Sequence, residues 1–478
     1  DTNYPTNRDV SGATAEDILK DARKAGAILS YQILGGKYSG ETRTVGIQTP
    51  KLKYGTVEFG GTKHWTVGGS SPERLKIILK RMMPGSTTVS EINNTITNVT
   101  KNWNYQFTVR QMPDGNTYPL IKYNNAGQKV DYTVEEEVPE YYVQVNKSEK
   151  ESGYKVNADF YNEPYKMKIK LTKIDEETKN LVSGAEFSVY AWSKKENRFV
   201  PYKGTKSSIT GAEDVMKLEE ESQGNYITPA WIYYAPDNEG KFRIIETKAP
   251  KGYFGDWKED NVTNSDKDKN VYDFEISKDF SQNGETYVLA DFEEGTFGNE
   301  RVKGEIYFAK LDVEANEQIA QGEATLSGAV YRLYAAEDIV HQDGVTGVLH
   351  KKGEEIPVSL TGNHNGKNVY TYDLNGKSQI ETGDLPAAGI RGLELGKYEL
   401  REVHASEGYL VNPESYEFSL DYQDEKTKIV RVEKNVFESV KKQSLSFYKV
   451  TGEPNSDKLD PLQGAKFSIY LVSELEKG

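Results

Sequence analysis

The chain has no cysteine among its 478 residues. Disulfides, thiolate metal sites, cysteine nucleophiles and thioester chemistry are excluded with it. Small extracellular β-domains commonly depend on a covalent staple, so a cysteine-free one must draw stability from elsewhere. Histidine is scarce too, with five scattered residues in no metal-ligand spacing. The sequence lacks an EF-hand loop and a Gly-rich phosphate loop, a serine nucleophile elbow, and any run long and apolar enough to cross a membrane. No cofactor or metal is expected. Positive charge is in deficit, with 60 Lys and Arg against 74 Asp and Glu and a net charge of −14. That argues against nucleic acid or an anionic membrane as partner.

Tyrosine (32) and glycine (42) are abundant, a composition that favours β-strands joined by tight turns. The organising stretch is Lys168 to Tyr190, KIKLTKIDEETKNLVSGAEFSVY. It reads as a strand, a polar turn and a second strand. Ile169, Leu171 and Lys173 share one face of the first strand, so a lysine occupies the apolar side. The pattern returns at Ile306–Tyr334 and Leu445–Tyr470. Each copy keeps a lysine in the first strand, then Gly-Ala and an apolar strand ending in tyrosine. Late in the two complete copies stands a second signature, Glu246-Thr-Lys-Ala-Pro-Lys-Gly-Tyr253 and Glu402-Val-His-Ala-Ser-Glu-Gly-Tyr409.

These features divide the chain into 1–56, an N-terminal segment; 57–164, a first β-sandwich; 165–302 and 303–438, the complete repeats; and 439–478, the start of a further one. In 57–164 the blocks Gly61-Thr-Lys-His-Trp65, Pro72-Glu-Arg-Leu-Lys-Ile-Ile-Leu79, Asn102-Trp-Asn-Tyr-Gln-Phe107 and Tyr132-Thr-Val-Glu-Glu-Glu-Val-Pro139, in that order, resemble the collagen-adhesin B-type (Cna-B) domain. The two repeats look like SpaA-type pilin domains, relatives of Cna-B, on the Lys-x-Asp strand, the Gly-Ala hairpin and the late Glu…Gly-Tyr run. The second repeat departs from that pattern where Val-His-Ala-Ser replaces Thr-Lys-Ala-Pro. The resemblance implies an all-β fold of tandem Ig-like sandwiches in a Gram-positive surface protein, a pilin or adhesin stalk anchored to the cell wall. Its partners would be neighbouring domains of the same protein, a sortase acting on the full-length chain, and a host matrix protein or glycan. No turnover enzyme is expected.

Each complete unit offers an early Lys, a late Glu and an Asn before the next unit: Lys63, Glu136 and Asn162; Lys173, Glu246 and Asn299; Lys310, Glu402 and Asn435. Eleven residues separate Asn162 from Lys173 and Asn299 from Lys310, but fourteen separate Asn435 from Lys449. A buried amine is driven towards its neutral, nucleophilic form and a buried Glu towards its protonated form. Such an acid can polarise the Asn carbonyl and carry protons while the amine attacks and ammonia leaves. The resemblance implies this same bond, an isopeptide between first and last strands promoted by the Glu. Lys170 lies on the opposite strand face from Lys173. Only Glu136, not Glu135 or Glu137, shares parity with Val134. Lys449 has neither partner and is expected to be unbonded.

The N-terminal segment reads as a capped helix, with Thr14 to Asp17 as a capping box and Ile18, Leu19, Ala22 and Ala25 at helical spacing. Strands are expected at 27–34 and 43–48. Tyr4-Pro5-Thr6-Asn7 resembles a pilin polymerisation segment, with Thr6 where the reactive lysine would stand. The start at Asp1 and the stop inside a repeat suit a mature or excised piece. The insertions 201–235 and 337–390 read as polar excursions between strands. Trp65 and Trp103 are expected in the core, and Trp192, Trp231 and Trp257 in loop packing rather than a glycan groove. An adhesin head using 1–56 or the insertions is the alternative to a stalk.

Overall fold

The structure is a computed structural model and describes residues 29–32, 42–45, 55–67, 70–124, 127–204, 215–255, 271–276, 286–288, 296–451 and 460–470. The expected helix and the Tyr4–Asn7 segment lie outside the described residues. Leu29–Gln32 and Thr42–Val45 pair as an antiparallel ribbon. The rest is almost entirely strand. The chain divides into two units, with the main boundary between Arg301 and Val302. The first unit holds two sandwiches and the second holds one.

In the first sandwich, a four-stranded sheet runs in the order Tyr142–Ser152, Lys155–Pro164, Glu58–Trp65, Asn104–Phe107. It faces a three-stranded sheet of Val89–Thr97, Leu75–Met82 and Asp131–Glu136. Alternate residues of both sheets, including Phe59, Ile77, Leu79, Phe107, Val134 and Phe160, close the core. Trp65 and Trp103 meet edge to face at 5.2 Å, and Trp103 packs against that core while staying partly exposed. The next sandwich begins one residue after Pro164, at Lys166.

The second sandwich is built around Lys166–Asp175. Its inward and outward residues alternate without a break: Met167, Ile169, Leu171, Lys173 and Asp175 are buried. Period-two alternation is what a half-buried strand requires, and Lys173 takes a slot its neighbours give to apolar side chains. The facing sheet runs through Glu186–Ser193, Lys241–Lys248 and Val271–Glu275 in that order. Phe187, Val189, Phe242, Ile244 and Phe297 fill the space between.

In the third sandwich Lys303–Asp312 lies between Ala387–Leu393, antiparallel, and Ile429–Val440, parallel. The facing sheet joins Val330–Ala335, Gly396–His404 and Ser415–Leu420. Ile306, Phe308, Leu333, Ile390, Leu400 and Phe418 are buried.

Both insertions contribute core, contrary to the expectation of polar excursions between strands. Residues 337–390 supply Val358–His364 and Lys367–Tyr372, which continue the lysine sheet through Ala387–Leu393. Their Ile339, Ile356, Val358, Val369 and Ile380 are buried. In the 201–235 insertion Met216, Leu218, Tyr226 and Ile232 join the second core. The strands are short and each buries few residues, so Gly- and Asn-rich turns dilute their apolar pattern. In the further copy, Val450–Thr451 pairs with Asp460–Pro461, and Lys449 is exposed.

Ile390 sits in the sheet directly opposite Ile306 and is fully buried. Ile390→Ala is expected to destabilise the third sandwich by about 2–5 kcal/mol, as a large-to-small core substitution does. Urea unfolding measures this. A cost below about 0.5 kcal/mol would return the segment to the surface.

Candidate functional site

Each sandwich places a lysine in its first strand, a glutamate in the facing sheet, and the last strand parallel beside the first. In the first sandwich Lys63 is paired with Phe160, and Trp65 with Asn162. Parallel neighbours at one level point to the same face, and so do residues two apart. Asn162 therefore stands on the face of Lys63, one dipeptide further along. Glu136 is paired with Ile77 in the opposite sheet and reaches across the core to bring Oε2 within 3.0 Å of Lys63 Nζ. Both side chains are inaccessible to solvent, and Asn162 is fully buried. Gly61 permits the close approach of the first and last strands, which are central neighbours in the sheet, because a Cβ there would meet the Ala158 carbonyl at 2.0 Å.

Burial dominates the electrostatics. It pulls Lys63 down to about 8 against the opposing pull of Glu136. It pushes Glu136 up, outweighing the stabilising contacts from Lys63 and Asn162. Among the described residues, no well-formed hydrogen bond satisfies Lys63 Nζ, either Glu136 oxygen, or the Asn162 amide atoms. Buried groups left in this state cost on the order of 1–3 kcal/mol each, and more when charged. Stability alone does not account for such a cluster.

The second sandwich repeats the arrangement. Lys173 is paired with Phe297 and Asp175 with Asn299, so the asparagine again stands two residues beyond the partner of the lysine. Glu246 lies opposite Phe187, with Oε1 3.5 Å from Lys173 Nζ. The amine donates to the Phe297 carbonyl at 2.8 Å. Asn299 Nδ2 donates to the Phe254 carbonyl at 3.0 Å, while Oδ1 and both Glu246 oxygens have no hydrogen-bond partner among the described residues. Burial lowers Lys173 and raises Glu246. A protonated Glu246 is the donor that the Asn299 carbonyl lacks.

The third sandwich brings Lys310 to Glu402, with 3.5 Å between Nζ and Oε1, but it does not bring Asn435 to either. Lys310 is paired with Val436 and Asn435 with Ala309. Asn435 therefore points to the opposite face and is exposed. The place held elsewhere by asparagine belongs to Glu438, two residues past Val436, and that side chain is buried against Lys310. The sequence carried the signal: Glu438 stands eleven residues before Lys449, the spacing of the other two junctions.

The rival residues face solvent. Lys170 pairs with Glu221 at 2.6 Å, Glu135 with Lys80, and Glu137 with Lys76 at 3.4 Å. The Lys-x-Asp and Gly-Tyr motifs have a structural role that the sequence did not disclose. Asp175 Oδ1 accepts the backbone N–H groups of Glu177 and Thr178 at the turn after the strand, and Oδ2 accepts the Tyr253 hydroxyl at 2.9 Å. Asp312, Glu314, Ala315 and Tyr409 repeat this arrangement. Each of these two lysine strands is thereby fastened to the segment that follows its glutamate.

The SpaA prealbumin-like fold domain matches residues 167–279 and 304–435, just over half of the chain. The chain belongs to the SpaA family. Its two SpaA domains are the second and third sandwiches. No curated protein matches the chain. Among solved structures it is similar to the Bacillus anthracis TIE protein, at 18% identity and a TM-score of 0.41, over 80% of this chain and 51% of that one. It is also similar to the pilus adhesin SpaC from Lactobacillus rhamnosus GG, at 15% identity and a TM-score of 0.23, over 80% of this chain and 44% of that one. A third is GBS52, the minor pilin of Streptococcus agalactiae, at 15% identity and a TM-score of 0.22, over 60% of this chain and 100% of that one. The chain spans about half the length of the first two.

The depressed amine gives a pH test. The free Lys63 amine has a folded value of about 8 against 10.5 when unfolded, and Asn162→Ala removes the neighbouring carboxamide without altering the amine. Between those values the unfolded chain binds more protons than the native one, so stability rises with pH. Urea midpoints from pH 8 to 10 are expected to climb in Asn162→Ala relative to Asn162→Ala/Lys63→Met. Parallel profiles would contradict a depressed Lys63.

Proposed function

We propose that this chain is part of the stalk of a Gram-positive surface pilin or adhesin, its sandwiches locked by Lys63–Asn162 and Lys173–Asn299 isopeptide bonds. The observation that carries this reading is the recurrent cluster: amine, carboxyl and carboxamide buried together, with the amine on the first strand and the carboxamide on the last. The SpaA match supports the setting. In this reading the chain acts at the cell surface and turns over no external substrate.

The chemistry follows from the protonation states. The neutral lysine amine adds to the Asn Cγ, and the protonated glutamic acid stabilises the developing oxyanion. The acid then moves a proton to the departing nitrogen. Amine and carboxamide become a secondary amide and ammonia, and the glutamic acid recovers its proton. Fixed neighbours in a dry core supply the effective concentration that such a slow reaction needs. The reaction also removes the buried ionisable amine and the unpaired amide.

The mechanical consequence follows from the topology. Tension enters a sandwich through its first strand and leaves through its last. These strands lie side by side and parallel, so stretching shears them. A covalent bond between them carries the load past the sheets. As a loop closure of about 127 residues, the Lys173–Asn299 bond contributes roughly 5 kcal/mol by chain entropy.

Peptide mapping of the full chain is expected to yield the Lys173 and Asn299 peptides joined, about 17 Da lighter than the linear pair, the mass of the expelled ammonia. Glu246→Ala is expected to release them as linear peptides and to lower the stability of that sandwich. Linear peptides from the unsubstituted chain would sink the reading. A joined pair in Glu246→Ala would remove Glu246 from the mechanism.

A further inference from the structure

The third sandwich holds an acid where the other two hold an amide. We propose that Lys310 and Glu438 condense to an isopeptide bond with loss of water, assisted by Glu402 and the Ser406 backbone. This rests on the reading above and extends it to a different electrophile.

The register is the first support. Lys310 pairs with Val436, so Glu438 occupies the position of Asn162 and Asn299. Lys310 Nζ contacts Glu438 Oε2, and both side chains are inaccessible. With an oxygen in contact, the carboxyl carbon lies within the range of a near-attack arrangement. Glu402 stands over the pair from the facing sheet, as Glu136 and Glu246 do over theirs.

The second support is a paired departure from the repeat pattern. Ser406 occupies the place that Pro250 holds in the second sandwich, four residues after the glutamate. A proline has no N–H. Ser406 has one, and it donates to Glu438 Oε1 at 3.2 Å. Its hydroxyl accepts from Lys310 Nζ and donates to the Leu326 carbonyl at 3.0 Å. The sandwich that exchanges amide for acid is thus the one that exchanges Pro for a residue able to hold the acid. The two carboxyl oxygens are distinguished: Oε1 faces a backbone donor and Oε2 faces the amine.

That distinction sets the course of the step. The neutral amine adds to the Glu438 carboxyl carbon. Negative charge developing on Oε1 is stabilised by the Ser406 N–H, as oxyanion donors do. Oε2 keeps the proton of the neutral acid, receives a second from the amine, relayed by Glu402, and departs as water. One C–O bond breaks and one C–N bond forms, with no oxidant or reductant. Burial, together with the hydrogen bond to Glu402, holds Glu438 up at about 8, and burial lowers Lys310. Both shifts run towards the neutral pair that the step requires.

Peptide mapping of the full chain tests this. The peptides carrying Lys310 and Glu438 are expected joined, about 18 Da lighter than the linear pair, the mass of water. Glu438→Gln is expected to give a cross-linked peptide of identical mass, because expelling ammonia from glutamine leaves the same amide. Glu438→Ala is expected to give linear peptides. Linear Lys310 and Glu438 peptides beside joined Lys63–Asn162 and Lys173–Asn299 peptides would overturn this proposal alone. Linear peptides at all three sites would overturn the stalk chemistry with it.

Discussion

The constraint on which the rest depends is the burial of an amine beside a carboxyl group in the core of each sandwich. An exposed ion pair is worth at most about 1 kcal/mol. A fully buried pair carries a desolvation cost of several kcal/mol per ion. Lys63, Lys173 and Lys310 are all inaccessible, and an apolar residue at each site would fold with less conflict. In the proposed reading the amine offers reactivity instead, since the desolvation that penalises a charged amine favours its neutral, nucleophilic form.

The fold sets the geometry for this chemistry. First and last strands are parallel neighbours in one sheet, and the glutamate comes from the other. The third group enters two residues beyond the strand partner of the lysine in all three sandwiches. The Asp–Tyr contact after each SpaA lysine strand fixes the strand end near the reacting groups. Asparagine or glutamate can fill the third position because the lysine and the overhanging acid stay constant. In the proposed cross-links, what changes is the leaving group and the donor that holds the carbonyl oxygen.

Much of this was legible in the sequence. Strict alternation distinguishes Lys173 from Lys170, and parity distinguishes Glu136 from its acidic neighbours; the structure places these side chains accordingly. The repeat motifs carried the fold class. What could not be read was register, because a one-residue slip moves a side chain to the other face. Asn435 has the chemistry of a cross-linking residue but the wrong parity, whereas Glu438 has the parity and a side chain of another type. The core strands within 201–235 and 337–390 were hidden for a related reason. Each buries few residues, among glycine- and asparagine-rich turns.

The most direct test of the central claim is the intact mass of the denatured, unsubstituted chain. Loss of two molecules of ammonia and one of water predicts a mass about 52 Da below that of the sequence, a deficit fixed by the condensations that the buried clusters position. A mass equal to that of the sequence would contradict the account.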